Sequence, residues 1–282
     1  SVDAKNTDAD TPLMLAVENG HTSVARVLVD AGADVDIAKQ DTGVTMLMAA
    51  ALTGQTDILQ RLISVKANVQ ATDKTHKSAL HYAVSQGHSN CAQVLLDAHT
   101  DIDAQDIDGR TALAAASMHG HADAMNALLA ANASVDLQDN QGQTALMLVS
   151  DAECAKTLVD AGAQLDVCDS NGDTALAVAA TQGRVAVVKR LVSAKASLFV
   201  KNQNGHTPLA LAVKNNRSDV VQVLSRAADT RGNTALMMAA MNGDAAMINV
   251  LLGVGATVDD KNDDDETALL LAVKHGQKDA AE

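Results

Sequence analysis

The hydrophobic and polar positions of this chain recur as a block. One short string, a small hydroxylated residue followed by an apolar run, returns nine times. It reads TPLMLA from Thr11, TMLMAA from Thr45, SALHYA from Ser78, TALAAA from Thr111, TALMLV from Thr144, TALAVA from Thr174, TPLALA from Thr207, TALMMA from Thr234 and TALLLA from Thr267. The steps between successive starts are 34, 33, 33, 33, 30, 33, 27 and 33 residues. Self-similarity at such a period marks units that stack on one another, because a single unit cannot bury its own apolar face. Within each block the pattern predicts helix, turn, helix and extended loop. In the fourth, Thr111 opens a short helix that closes near Gly120. His121 and Ala122 open a second, with Met125, Leu128 and Leu129 at i, i+3 and i+4. Asn132 fits a left-handed stop, and Gly142 supplies the positive φ of the turn that follows.

Composition narrows this picture. Hydrophobic residues are 47% of the 282, yet aromatics are only 1%, with Tyr82 and Phe199 and no Trp. The core must therefore come from Ala, Leu, Val and Met, which suits thin layers of closely packed helices. No apolar run approaches the ~18 residues of a membrane span, so no direct membrane insertion is expected. The net charge of -14 argues against nucleic acid as a partner, because phosphate neutralisation drives that binding. Cys91, Cys154 and Cys168 form no CxxC pair, which favours a reducing, cytoplasmic (intracellular) setting.

With its T-P-L-H-x-A-like helix starts and segments such as GHTSVARVLVDAGADVD (Gly20–Asp36) and GHADAMNALLAANASVD (Gly120–Asp136), the chain resembles the ankyrin repeat family. The resemblance implies an all-α fold: a solenoid of stacked helix-turn-helix units with β-hairpin fingers. It implies one array over residues 1–282, with repeats starting near 6, 40, 73, 106, 139, 169, 202, 229 and 262. Both ends read as cut from a longer array. Two steps are irregular. The 30-residue step lacks the Gly-His turn, so Ser150 or Asp151 is expected to cap the second helix directly. The 27-residue step lacks six residues, which predicts a shortened or absent finger over residues 225–233.

Candidate chemistry is sparse. No G-x-S-x-G, P-loop or H-E-x-x-H string is present, and no enzyme activity or cofactor is expected of this segment. His119-x-His121 looks like a metal pair but lacks a third ligand at matching register. His21, His88 and His121 follow a Gly at the inter-helix turn, and the resemblance gives His81 a hydrogen bond between repeats. Cys91 and Cys154 share one register, two repeats apart, beyond disulfide reach. Ala9 and His76 replace the turn glycine, where a left-handed backbone is unfavourable, and so does Asp265, which tolerates that conformation better than most residues. The run Asp259–Glu266 is a solvated finger or a site for a basic segment.

The resemblance implies a non-enzymatic scaffold that binds a partner protein or peptide in a concave groove. An alternative is a regulatory or targeting segment of a larger enzyme, ion channel or ubiquitin ligase. Family geometry places turn residues and first-helix ends in that groove. In repeat one these are Asp8, Asp10 and Glu18. The candidate partner-binding set is Val44, Leu52, Lys74, Lys77, Ile107, Arg110, Met118 and His119. There apolar side chains stand beside Lys74, Lys77 and Arg110, which would select an acidic segment. Phe199 is a further candidate: it is the one apolar residue at a position that otherwise carries Asp36, Gln70, Asp103, Asp136, Asp166 and Asp259.

Overall fold

The computed structural model describes residues 1–7 and 9–282; Asp8 lies outside the described residues. The chain divides into two compact units, residues 1–163 and 164–282. Among the described residues the first holds ten helices: α1 (Pro12–Glu18), α2 (Thr22–Asp30), α3 (Met46–Leu52), α4 (Thr56–Ser64), α5 (Ala79–Ser85), α6 (Ser89–Asp97), α7 (Ala112–His119), α8 (Ala122–Ala130), α9 (Ala145–Leu148) and α10 (Ala152–Asp160). The second holds α11 (Ala175–Gln182), α12 (Val185–Ser193), α13 (Pro208–Lys214), α14 (Ser218–Ser225), α15 (Ala235–Asn242), α16 (Ala245–Gly253), α17 (Ala268–Lys274) and α18 (Lys278–Ala281).

The recurring hydroxyl starts each first helix. Thr111 is extended at φ -81°, and its Oγ1 accepts the Ala114 amide at 3.2 Å, satisfying a donor that the helix itself cannot. The leucine two residues after it, Leu47, Leu80 or Leu113, is 2% exposed or less and anchors the repeat. Ala50, Ala83 and Ala116 are fully buried, and their small side chains let neighbouring helices approach closely. In the first unit α1, α3, α5, α7 and α9 form one packed row. The second helices α2, α4, α6, α8 and α10 form the other. Apolar area removed from water between these rows is the main stabilising term.

Local details follow the residue chemistry. Asn132 does adopt the left-handed conformation, at φ 65°. Ala9, His76 and Asp265 stay left-handed too, at φ 65°, 61° and 59°, so those turns keep their shape despite lacking Gly. The fingers correct one expectation. Only three isolated antiparallel bridges occur among the described residues, Ala38 with Thr45, Thr72 with Ser78 and Ala228 with Thr234. The fingers are tight turns, three of them closed by such a bridge, rather than laddered strands, because in most of them the inner amides go to a side chain described below.

Helix α9 has only four residues and ends where Val149 turns extended, at ψ 134°. Asp151 then caps α10, its Oδ1 accepting the Cys154 amide at 2.8 Å, while the Ser150 amide bonds Ser117 O at 3.1 Å. Burial alone would raise the Asp151 carboxyl, but the bonds from Cys154 and its neighbours outweigh it and hold it below its ordinary value. Asp151→Ala should therefore cost about 1 kcal/mol at neutral pH. Because the folded carboxyl titrates lower than the unfolded one, that difference persists above about pH 4 and fades as pH falls through the folded value. Denaturant titrations of both proteins across that range test this; a gap that survives in strong acid would mean that the carboxylate is not what stabilises the turn.

Candidate functional site: the finger row and first-helix ends

From repeat three onward each finger turn is built on one polar side chain beneath it, whereas in repeat two Asp41 and Thr42 accept the Thr42 and Val44 amides. Asp73 Oδ1 accepts the Thr75 and Lys77 amides at 2.8 and 2.9 Å, and Tyr82 donates its hydroxyl to Oδ2 at 2.6 Å. Burial pushes the Asp73 carboxyl up, yet these donors leave it below its usual range. Asp106, Asp139, Asp169, Asn202, Asp229 and Asn262 bind the amides two and four residues on in the same way. These are the residues that sequence reasoning missed. They stand in one column of the repeat, but their task is visible only once the amides converge on them.

Two further ties join finger to finger. At the tips, Lys74 N donates to Thr42 O, Ile107 N to Thr75 O and Asn140 N to Asp108 O, all within 2.8–2.9 Å. At the finger base, one side chain reaches the next repeat's backbone. Asp36 accepts the Asn68 amide at 2.8 Å, Gln70 the Asp101 amide at 3.0 Å, Asp103 the Ser134 amide at 2.9 Å and Asp166 the Ser197 amide at 2.9 Å. His81 adds a third connection. Burial lowers its basicity, and the ring bonds at both nitrogens: Nε2 donates to Arg110 O at 3.0 Å and Nδ1 accepts the Ser78 amide. At the opposite end of the helices, the His121 ring lies over Gly87, where a Cβ would come within 2.7 Å, and Nε2 meets Ser85 O at 3.1 Å.

This scaffold sorts the candidates. Val44, Lys74, Lys77, Ile107 and Arg110 lie in the bonded row of finger turns, while Leu52, Met118 and His119 lie at the ends of α3 and α7. Leu52 is 38% and Ile107 55% exposed; Val44, Lys77 and Met118 are half-buried. His119 is exposed and stacks on His121 with ring centroids 6.2 Å apart. The cations are less free than their sequence positions suggest. Lys74 Nζ donates to Gln40 O at 2.9 Å. Arg110 lies 3.3 Å from Asp108 and 3.6 Å from the buried Asp139 carboxylate, so its charge is matched within the protein. In repeat one, Asp10 and Glu18 both pair with Lys39, at 3.8 and 2.6 Å. Phe199 belongs to the second unit, where it is half-buried.

Comparison with known proteins agrees with this construction. The family model for ankyrin repeats (3 copies) matches residues 32–106, 80–167, 149–230 and 225–282, and that for a single ankyrin repeat matches residues 8–40. The chain belongs to the ankyrin repeat family. Among solved structures it is similar to the ankyrin repeat domain of Bcl-3, a member of the IkappaB protein family, at 27% identity and a TM-score of 0.66. That match covers 76% of this chain and 99% of the other. It is also similar to the human ASB11 ankyrin repeat domain, at 26% identity and a TM-score of 0.69, covering 75% and 97%. Ankyrin repeats are generally non-enzymatic protein–protein interaction modules. No helix among the described residues is long and apolar enough to cross a membrane.

Proposed function

We propose that this chain is a binding scaffold that holds a partner protein or peptide against the finger turns and first-helix ends of repeats two to four. One observation carries the reading. Leu52 and Ile107 stay exposed, with Met118 half-buried, on elements whose backbone is tied from repeat to repeat. A rigid surface with apolar side chains ringed by polar groups is the usual energetic centre of an interface. Because Arg110 is matched by Asp108 and Asp139, specificity for an acidic segment at this face rests on Lys74 and Lys77.

Peptides selected from a display library on the wild-type chain test the reading. Leu52→Ala and Met118→Ala should leave folding intact and each weaken the selected peptides by about 1 kcal/mol or more. Wild-type affinity in both variants would place the binding surface elsewhere.

A further inference from the structure

The second unit contains a seam unlike the others. Between repeats seven and eight the chain is six residues short: α14 ends at Ser225, and Arg226 and Ala227 lead almost directly into the turn at Asp229. The turn itself survives, closed by the bridge of Ala228 with Thr234. What is lost is the stretch that carries the amide for the finger-base tie. On the other side of the seam, the residue that would accept that bond is Phe199, where other copies have Asp or Gln. The two departures belong together: with no amide to receive, a carboxylate there would have no partner, and an aromatic ring fills the space.

The ring does not fill all of it. Phe199 borders a cavity of about 300 Å³ with Val192, Leu198, Ala228 and Thr230. It also borders a second cavity of about 180 Å³, lined by Ala210 of α13 and Met238 and Asn242 of α15. Helices α13 and α15 are not closely packed, whereas α11 with α13 and α15 with α17 are. The tip bond is missing as well: Thr230 N makes no bond to Asn204 O, although Gln203 N bonds Asn171 O and Asp263 N bonds Arg231 O. The result is a cleft open beside an aromatic side chain.

The stretch of sequence that supplies most of its lining is basic, unlike the rest of the protein. From Arg184 to Arg231 the sequence carries nine Lys and Arg against two acidic residues, Asp219 and Asp229, in a chain of net charge -14. Elsewhere the cations are mostly paired, as Lys39, Arg61, Arg110 and Lys274 are. Lys189, Lys195, Lys201, Lys214, Arg226 and Arg231 are exposed, and none has a carboxylate within salt-bridge distance among the described residues. Lys195 lines the larger cavity and Lys201 the smaller. The two carboxylates at the larger cavity are engaged internally, Asp166 by the Ser197 amide and Asp229 by the Arg231 and Asn233 amides, and the one at the smaller cavity, Asp244, accepts the Met247 amide at 3.0 Å.

We propose that this cleft docks an acidic peptide segment of another protein, with one apolar side chain of the peptide seated against Phe199 and its carboxylates facing Lys195 and Lys201. A nucleic acid fits less well. Its regular phosphates would pass Asp166 and Asp229 and would meet the acidic remainder of the chain along their length. A short segment with one anchor uses the cavity and the local positive field together. The surface lies wholly in the second unit, so the proposal stands or falls independently of the face around Leu52.

The test is fluorescence anisotropy of the full chain with a labelled Asp/Glu-rich peptide bearing a single central Phe. Controls are the same peptide with Ala for Phe, a Lys-rich counterpart, a single-stranded oligonucleotide and vesicles of anionic lipid. The acidic Phe peptide should bind most tightly and weaken as salt rises. Phe199→Gln restores the residue type of Gln70 at the equivalent position, so the fold is retained; it should lower affinity about tenfold. The Lys195→Glu, Lys201→Glu double variant should lose binding and its salt dependence, while Leu52→Ala should bind as wild type. The proposal is overturned if the acidic Phe peptide binds no better than the Ala or Lys-rich peptide. It is equally overturned by full affinity in Phe199→Gln, by preference for the oligonucleotide or vesicles, or by sedimentation showing a dimer that Phe199→Gln dissociates.

Discussion

Gly109→Ala should destabilise the protein by about 3 kcal/mol, whereas Gly32→Ala should cost only about 1 kcal/mol. Both glycines are left-handed, at φ 79° and 81°, so an alanine at either bears a similar conformational penalty. Their surroundings differ. A Cβ on Gly32 meets nothing within 4 Å, but one on Gly109 would lie 2.6 Å from Asn140 Oδ1 and 2.7 Å from Asn140 N. That amide is the donor of the tip bond to Asp108 O at 2.9 Å, and the Asn140 side chain is fixed by Ile107 O. Neither can retreat without opening the finger row. Chemical denaturation of the two variants measures the difference, and equal losses would show that the tip contact yields at little cost.

Leu95→Ala is the other large effect, about 3 kcal/mol, while Leu96→Ala next to it should cost about 1 kcal/mol or less. Leu95 is fully buried between the rows of the first unit, and Leu96 is half-buried on the other side of α6. Removing Leu95 leaves a void that α4 and α8 can close only by moving their own backbones, since both pack directly on α6. Stability in stacked repeats is a sum over units and nearest-neighbour interfaces. The loss should therefore concentrate around α4–α8, where amide hydrogen exchange would quicken before that of α1 and α2. Uniform acceleration across the first unit would instead indicate that it unfolds as one block.

Much of this architecture was legible in the sequence because its causes are local. The threonine caps, the stop at Asn132 and the direct cap of α10 depend on residues within one turn of the effect, and spacing locates them, the last to within Ser150 or Asp151. The site was less legible because its decisive partners are one repeat away. Arg110 reads as an available cation until Asp139, 29 residues on, is placed beside it. The same distance hides the role of the position occupied by Asp36, Gln70, Asp103 and Asp166: a column of polar residues is visible, but not the amide that each receives. Phe199 stands out in that column for its chemistry. The reason for it, a missing donor across the seam, requires the six-residue gap and the fold together. The basic stretch from Arg184 to Arg231 is plain in the sequence, but an unpaired charge differs from a paired one only in three dimensions.

The seam beside Phe199 also bears on how the second unit carries a mechanical load. Repeats six and seven are joined by Asn171 O to Gln203 N and by Arg217 Nε to Thr181 O, and the finger base before them by Asp166 to Ser197. Repeats eight and nine are joined by Arg231 O to Asp263 N, by Asn262 to Asn233 and by Gln277 to Met241 O. Among the described residues no hydrogen bond crosses from repeat seven to repeat eight apart from the bridge of Ala228 with Thr234 that closes the turn. A pull along the stack is thus borne by short directional bonds on either side and mainly by side-chain contact in the middle. Apolar contact resists separation but slides more readily than a hydrogen bond shears, so this seam is the compliant joint of an otherwise cross-tied unit.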